Sequence, residues 1–244
     1  MIRWFLRGVT GRRLTTRYPR ASEPPPSGFR ARALLPSEPV TGEAATRAAA
    51  ACLPRALSVD RDGALAFDET RCIGCGLCAD ALTMDPGYES ARLGDSRVPL
   101  SPAFRRSLHI RHVDTGSDGA AEQEIAALMN PYYDMQRLGL FFTASPRHAD
   151  VLLVTGPVTR PMEGPLRRAY EAMPEPRVVV AAGTDACSGS IWTEPEVLGG
   201  VDRVLPVDVY VPGDPPTPIA LLHGLLVASG RAQEASSAGT KSAA

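Results

Sequence analysis

Arg71-Cys72-Ile73-Gly74-Cys75-Gly76-Leu77-Cys78 is the stretch around which the rest of the chain is organised. Its three cysteines follow the spacing C-x2-C-x2-C, with small residues between them. A tight loop of this kind can direct three thiolates at one iron–sulfur cluster. A cubane cluster needs a fourth ligand, and the position where a continuous run would supply it holds Leu82. The fourth thiolate therefore has to come from elsewhere in the chain.

Cys52 is the candidate for that fourth ligand. In two-cluster ferredoxins the fourth cysteine of each run ligates the other cluster, and residues 51–57 resemble the end of a first run. The other three positions of that run hold Gly42, Ala45 and Ala48, so its own cluster would be lost. A structural zinc site and an inert remnant without metal stay open as alternatives. The spacing favours one [4Fe–4S] cluster, on Cys52, Cys72, Cys75 and Cys78.

Composition limits the classes of protein to which the chain can belong. The 244 residues carry a net charge of −1, which argues against a general nucleic-acid binder. Five cysteines, three of them in one loop, are typical of metal chemistry in a reducing compartment and not of a disulfide framework. No apolar run approaches the length needed to cross a bilayer.

The first 30 residues differ from the rest of the chain. Residues 1–20 contain six arginines and no acidic residue, and Trp4, Phe5 and Leu6 offer an apolar side. A short basic amphipathic helix on a membrane surface or membrane subunit fits this composition, and a frayed, solvated terminus fits it equally well. Residues 23–28 predict an extended proline-rich linker. We therefore interpret residues 1–30 as a basic N-terminal anchor followed by a linker.

Two folded units and a tail are predicted beyond the linker. Residues 31–100 hold the cysteines, with a helix over 44–51 and a hairpin over 57–67, as in a small α+β ferredoxin-like domain. Residues 101–231 alternate strands with helices, which predicts an α/β domain with a parallel sheet covered by helices on both faces. Residues 232–244 predict a disordered tail. The predicted strands are 108–113, 140–143, 151–155, 178–181 and 203–207, and the predicted helices are 121–128, 161–172 and 218–228.

Several segments carry a family resemblance. His112-Val113-Asp114-Thr115-Gly116-Ser117, the segment 145–156 and the segment 207–218 resemble the small, cluster-bearing subunit of membrane-bound [NiFe] hydrogenases and formate hydrogenlyase. They are also similar to the equivalent subunit of complex I. The stretch from Thr15 to the cysteine loop resembles the ferredoxin-type subunit of the same complexes. The chain thus looks like a fusion of two neighbouring subunits, and the resemblance implies a flavodoxin-like second domain.

The same resemblance implies that the second domain has lost its cluster. The family's small subunit holds a proximal cluster on four cysteines, and the corresponding positions here are Asp118, Ala121, Asp185 and Asp214. The three aspartates follow predicted strands, so we expect them to meet at one edge of the sheet. They could bind a divalent cation, pair with basic groups of a partner, or line a relic pocket filled by water or salt bridges. Cys187 is expected to be a buried, inert thiol.

The function implied by the resemblance is electron transfer within an assembly. The chain would be an iron–sulfur subunit of a complex-I-like or formate-hydrogenlyase-like membrane oxidoreductase complex, non-catalytic alone and carrying one cluster. The expected partners are a hydrogenase-like or complex-I-like large subunit and a membrane subunit, at the cytoplasmic face of the membrane, with no nucleic acid. The alternative is a structural or coupling subunit without through-going electron transfer.

Overall fold

The N-terminal half is a small unit built from short strands and one helix. In the computed structural model, residues 8–11, 14–29, 32–78, 80–85, 87–94 and 102–235 are described. One two-stranded antiparallel sheet pairs β1 with β4, and another pairs β2 with β3 as a hairpin. Helix α1 packs on the hairpin, and its buried face consists of alanines. The elements are β1 (Arg32–Leu34), α1 (Gly42–Ala51), β2 (Leu57–Val59), β3 (Leu65–Phe67) and β4 (Thr83–Asp85).

A six-stranded sheet forms the centre of the second half. Its strands lie in the order β5-β12-β10-β8-β6-β7, and every neighbouring pair is parallel except β5 with β12. Numbered along the chain, the five parallel strands follow the order 2-1-3-4-5, which is the flavodoxin-like arrangement. The strands are β5 (Arg92–Leu93), β6 (Leu108–Asp114), β7 (Leu140–Phe142), β8 (Val151–Thr155), β10 (Val178–Ala182) and β12 (Val209–Val211).

Helices cover the central sheet, and two further short strands form a separate two-stranded sheet. The two central strands β8 and β10 are apolar runs buried along their whole length, as expected where helices cover both faces of a parallel sheet. This small sheet pairs β9 with β11 in antiparallel orientation. These elements are α2 (Ala120–Ala127), β9 (Val158–Thr159), α3 (Arg160–Glu171), α4 (Thr184–Ser188), β11 (Val197–Gly199) and α5 (Pro218–Ala228).

Helix α5 is completely buried, and segments from the first half of the chain pack over it. Every residue of α5 is buried, because the helix is apolar on all sides and packs on β10 and β12. The segment before β5 covers it, and the backbone N–H of Ala91 donates to Nδ1 of His223 at 3.2 Å. Tyr18 and Ala91 belong to the same buried cluster as the apolar residues of α5. Residues from the first half of the chain therefore complete the core of the second half.

Most predicted elements of the second half are present within one or two residues of their expected bounds, and the flavodoxin-like α/β fold is confirmed. The predicted strand over 203–207 is wrong. Residues 201–203 form a 3-10 turn, and β12 begins only at Val209. Pro206 has no N–H to donate to a ladder, so the chain joins the sheet only after it. The N–H of Asp208 donates to the carbonyl of Val179 at 3.0 Å, and the Asp208 carboxylate accepts the N–H of Val179 at 2.8 Å.

The basic N-terminal segment lies partly outside the described residues, which include neither Trp4, Phe5 nor Leu6. Gly8–Thr10 are helical, but 14–20 are not. The N–H of Thr16 donates to the carbonyl of Tyr132 at 2.8 Å, and Tyr18 is only 2% exposed. The part of the expected anchor that follows residue 13 is therefore packed against the second half of the chain.

Candidate functional site

The cysteine loop is shaped by a turn before it and glycines within it. A 3-10 turn over Glu69–Arg71 leads into Cys72, whose N–H donates to the carbonyl of Glu69 at 3.1 Å. Gly74 and Gly76 adopt positive φ angles of 68° and 78°, a conformation that costs glycine little. The N–H of Gly74 points at the Cys72 sulfur, 3.4 Å away. The loop can therefore turn its sulfurs inward without strain.

Cys52 reaches the loop from the end of α1. It is the residue that follows the helix, and its N–H donates to the carbonyl of Ala49 at 3.2 Å. Its sulfur accepts the N–H of Ala56 at 3.2 Å. The structure thus brings Cys52 to the loop despite the long stretch of chain between them, and the remaining lining residues are apolar or glycine. A single cavity of about 320 Å³, including its open side, is lined by Cys52, Cys72, Cys75 and Cys78.

Three of the four positions of the missing ligands are filled by core residues, and the fourth, Gly42, is exposed at the start of α1. Ala45 is fully buried, Ala48 is nearly so, and both lie in the apolar cluster beneath the cysteines. Leu82, at the place where a continuous run would carry its fourth cysteine, is 5% exposed and belongs to the same cluster. The described structure therefore has one set of four cysteines in this half, with apolar packing where the other set would be.

The protonation of these thiols depends on their surroundings. Burial raises the pKa of Cys72, the Gly74 N–H opposes that shift, and the neighbouring cysteines raise the pKa further. Burial also raises the pKa of Cys78, with smaller contributions from Cys52 and Cys75. A cationic metal centre bound between these sulfurs would offset the cost of burying negatively charged thiolates, and it would hold the cysteines in the thiolate form. The donor set, the cavity and the N–H groups directed at sulfur fit a [4Fe–4S] cluster.

The cysteine loop is attached to the second half of the chain through Thr184. The hydroxyl of this fully buried residue donates to the carbonyl of Cys72 at 3.0 Å and accepts the N–H of Gly213 at 3.1 Å. On the other side of the loop, Arg71 donates to the carbonyls of Pro54, at 2.9 Å, and Ser190, at 3.4 Å. The loop is therefore hydrogen-bonded directly to the turns that follow β10 and β12.

Those turns carry the positions at which the sequence resemblance implies the ligands of a proximal cluster. Asp118 follows β6, Asp185 lies in the first turn of α4 after β10, and Asp214 follows β12. A Cβ placed on Gly183 would lie 3.8 Å from the Ala121 side chain and 3.8 Å from the carbonyl of Gly213. The loops after three parallel strands thus converge, as expected at the carboxyl edge of such a sheet.

The three aspartates influence one another electrostatically. Burial raises the pKa of Asp185 to about 6, a hydrogen bond from Trp192 opposes the shift, and the charges of Asp214 and Asp118 add to it. Burial and the charge of Asp118 also raise the pKa of Asp214. Within the described residues, no three His, Cys, Asp or Glu side chains are grouped so that they could hold a single metal ion. Repulsion between carboxylates therefore characterises this edge of the sheet.

Cys187 lies close in sequence to Asp185 but away from the cysteine cavity. It is 3% exposed, its thiol donates to the carbonyl of Ala181 at 3.4 Å, and burial raises its pKa far above the ordinary value. These features describe a packed thiol within the core of the sheet domain.

The sequence did not predict the roles of two polar residues at the site. Glu69 forms ion pairs with Arg32 and Arg92 beside the cysteine loop, and Thr184 joins the loop to the sheet domain. Their partners are far apart in the chain, and no spacing rule connects them. The sequence could have indicated only that Arg71 and Glu69 flank a cysteine motif.

Two family matches agree with this geometry. Residues 119–228 match the family described as NADH ubiquinone oxidoreductase, 20 Kd subunit. Residues 65–81 match the 4Fe-4S binding domain. The first match covers the loops that carry Ala121, Asp185 and Asp214, and the second covers the cysteine loop. No helix among the described residues is long and apolar enough to cross a membrane.

Individual proteins of these complexes are also similar in sequence to this chain. Formate hydrogenlyase subunit 7 of Escherichia coli is 41% identical over 57% of this chain and 54% of its own length. The probable membrane-bound hydrogenase subunit mbhJ of Pyrococcus furiosus is 43% identical over 59% of this chain and 87% of its own. A chain from the membrane-bound sulfane sulfur reductase, an archaeal respiratory membrane complex, is 32% identical with a TM-score of 0.47, over 52% of this chain and 71% of that chain. The chain thus spans about half of the first relative and most of the second.

Proposed function

This chain belongs to the family of the 20 kDa subunit of NADH–ubiquinone oxidoreductase, and on that premise we propose that it is an iron–sulfur electron-transfer subunit. Its assembly would be a membrane oxidoreductase complex of the complex I or formate hydrogenlyase type. The chain spans only about half of formate hydrogenlyase subunit 7, so the activity of any such assembly is part of the proposal.

The convergence of four cysteines on one apolar cavity is the observation that carries this proposal. Cys52, Cys72, Cys75 and Cys78 would hold one [4Fe–4S] cluster, which supplies one-electron transfer when bound. Cys52, Cys72 and Cys78 are partly buried, while Cys75 is exposed. The N–H groups of Ala56 and Gly74 stabilise negative charge on the sulfurs that they face.

The second half would carry no cluster. Three of the positions that the family uses as ligands hold aspartate, and carboxylate oxygen is a hard ligand unsuited to iron–sulfide. The fourth position holds Ala121, which has no donor atom. In this proposal the chain is a fusion of a ferredoxin-type subunit with a small subunit that has lost its own ligands, and the separate matches in the two halves support that interpretation.

The proposed partners are a hydrogenase-like or complex-I-like large subunit and a membrane subunit. The proposed location is peripheral, at the cytoplasmic face of the membrane. Relatives that belong to membrane-bound hydrogenases support this placement. The six arginines of residues 1–20 would add attraction to anionic lipid or to acidic subunit surfaces.

A second candidate function is supported by the aspartates. If electrons cannot pass through the sheet domain to a large subunit, the chain would serve as a structural or coupling subunit, and its cluster would stabilise the N-terminal half. Reduction of the cluster in the intact complex by the physiological donor, followed by reoxidation on adding acceptor, would support electron transfer. A cluster that stays in one redox state through turnover would support the coupling role.

Iron content tests the ligand assignment. Anaerobically purified chain should contain about four irons, as one [4Fe–4S] cluster requires. Cys52→Ala should lose iron as completely as Cys72→Ala, because each sulfur would hold one corner of the cluster. Cys187→Ala is the matched control, a cysteine outside the cavity, and should retain the iron. About eight irons would contradict the empty second half, and zinc without iron would contradict the cluster.

A further inference from the structure

Thr184 and Gly213 hold each other at the edge of the sheet through two hydrogen bonds. Thr184 is the first residue of α4 and is fully buried. Its backbone N–H donates to the carbonyl of Gly213 at 2.8 Å, and its hydroxyl oxygen accepts the N–H of Gly213 at 3.1 Å. A hydroxyl has a single proton, and the proton of Thr184 is directed at the carbonyl of Cys72, 3.0 Å from the hydroxyl oxygen. The turns after β10 and β12 thus present a fixed donor to the cysteine loop.

The carbonyl that accepts this proton belongs to one of the proposed iron ligands. The backbone of Cys72 is also held on its other side, because its N–H donates to the carbonyl of Glu69 at 3.1 Å. When both peptide groups of a cysteine are fixed, only rotation about its Cα–Cβ bond can move the sulfur. The direction of the Cys72 sulfur is therefore set by the hydrogen bonds that hold the Cys72 backbone.

The cysteine loop itself provides little restraint. Residues 72–76 belong to neither a helix nor a strand. Gly74 and Gly76 let the loop adopt its shape, but glycine loses more conformational freedom on folding than any other residue. Cys75 and Leu77 are exposed, so the outer part of the loop is not covered by other residues. A hydrogen bond from the sheet domain to the inner end of the loop therefore restrains it where it enters the fold.

We propose that Thr184 is a positioning residue for the cluster held by the four cysteines, and that its hydroxyl fixes the Cys72 backbone so that the sulfur faces the cavity. The proposal rests on the proposed function, because it assumes that cluster. Partners that orient a metal ligand contribute to metal retention and to the electronic state of the metal although they do not touch it. The sheet domain thus helps to retain a cluster to which it supplies no ligand.

The test compares substitutions at Thr184 in the full-length chain, purified anaerobically with its iron. Thr184→Val replaces the hydroxyl by a methyl group of similar size, and iron release to a chelator should become about fivefold faster, the factor that one hydrogen bond of average net strength supplies. The EPR spectrum of the reduced cluster should also change, because it depends on the orientation of the sulfur ligands. Thr184→Ser keeps the hydroxyl and should restore both the release rate and the spectrum of the unmodified chain.

Thr115→Val is the matched control. Thr115 is also fully buried, and its hydroxyl donates within the sheet domain to the carbonyls of Thr155, at 2.8 Å, and Gly156, at 2.9 Å. Its removal should lower the melting temperature and leave the iron-release rate and the EPR spectrum unchanged. The control therefore separates a general loss of stability from a loss of ligand position.

The outcomes distinguish the inference from the proposed function. If Thr184→Val does not fold, Thr184→Ala and Thr184→Ser decide, because these two side chains differ only by the hydroxyl oxygen. An iron-release rate or an EPR spectrum that stays unchanged without the hydroxyl overturns the inference, while about four irons per chain still uphold the cluster. Faster release that Thr184→Ser does not restore, or that Thr115→Val reproduces, overturns it as well. Unmodified chain without iron overturns both the inference and the proposed function.

Discussion

Asp185→Asn is expected to stabilise the protein at neutral pH. Asp185 carries a charge in a half-buried position, where Asp214 and Asp118 repel it and a hydrogen bond from Trp192 opposes the effect of burial. Asparagine has nearly the same shape and keeps an oxygen that can accept from Trp192. The substitution therefore removes the repulsion and the desolvation cost with little change in packing.

The size and sign of the effect follow from the raised pKa. The pKa of Asp185 rises from 3.8 in the unfolded chain to about 6 in the folded one. The native state then binds more protons between these two values, so the free energy of unfolding falls as pH rises through that window. The full shift corresponds to about 3 kcal/mol at pH 7. Solvent screening of a partly exposed carboxylate reduces this to about 1–2 kcal/mol.

The measurement is thermal unfolding of the variant and the unmodified chain, both with equal iron content. At about pH 7.5 the melting temperature of Asp185→Asn should be higher by about 2–8 °C. At about pH 5 the difference should shrink to about half, because the unmodified aspartate is then largely protonated. Asp62→Asn, at an exposed position in the turn between β2 and β3, is the control and should show no pH-dependent difference. A gap that is absent, or constant between the two pH values, would refute the reasoning.

The remaining predictions concern the empty edge of the sheet and the N-terminus. Four cysteines introduced at the family's ligand positions should take up a second cluster if the loops keep their convergence, and the iron content should then rise from about four to about eight. A folded variant that takes up no added iron would show that the loops have been remodelled. The four substitutions are Asp118→Cys, Ala121→Cys, Asp185→Cys and Asp214→Cys. Removing residues 1–13 spares Tyr18 and should shift the chain from the membrane to the soluble fraction with its iron retained, and unchanged fractionation would assign attachment to the sheet domain.

Local sequence patterns were sufficient for the elements that depend on neighbouring residues. The apolar runs of β8 and β10 identify buried strands, because a strand covered on both faces needs no polar alternation. Thr217 and Pro218 mark the start of α5, and the Thr217 hydroxyl accepts the N–H of Ala220 at 3.2 Å. Short strands such as β1, β4 and β5 could not be found this way, since two or three residues are too few to show a period.

The sequence by itself determined which residues we expect to bind iron and which positions we expect to have lost the family's cysteines, because both expectations depend on residue type and spacing. Only the tertiary structure decided what surrounds them. The two arginines that flank Glu69 come from positions 32 and 92, and the hydroxyl that holds the Cys72 carbonyl comes from position 184. Contacts of this kind form only when strands distant in the chain pair and bring their ends to one edge, which no local pattern encodes.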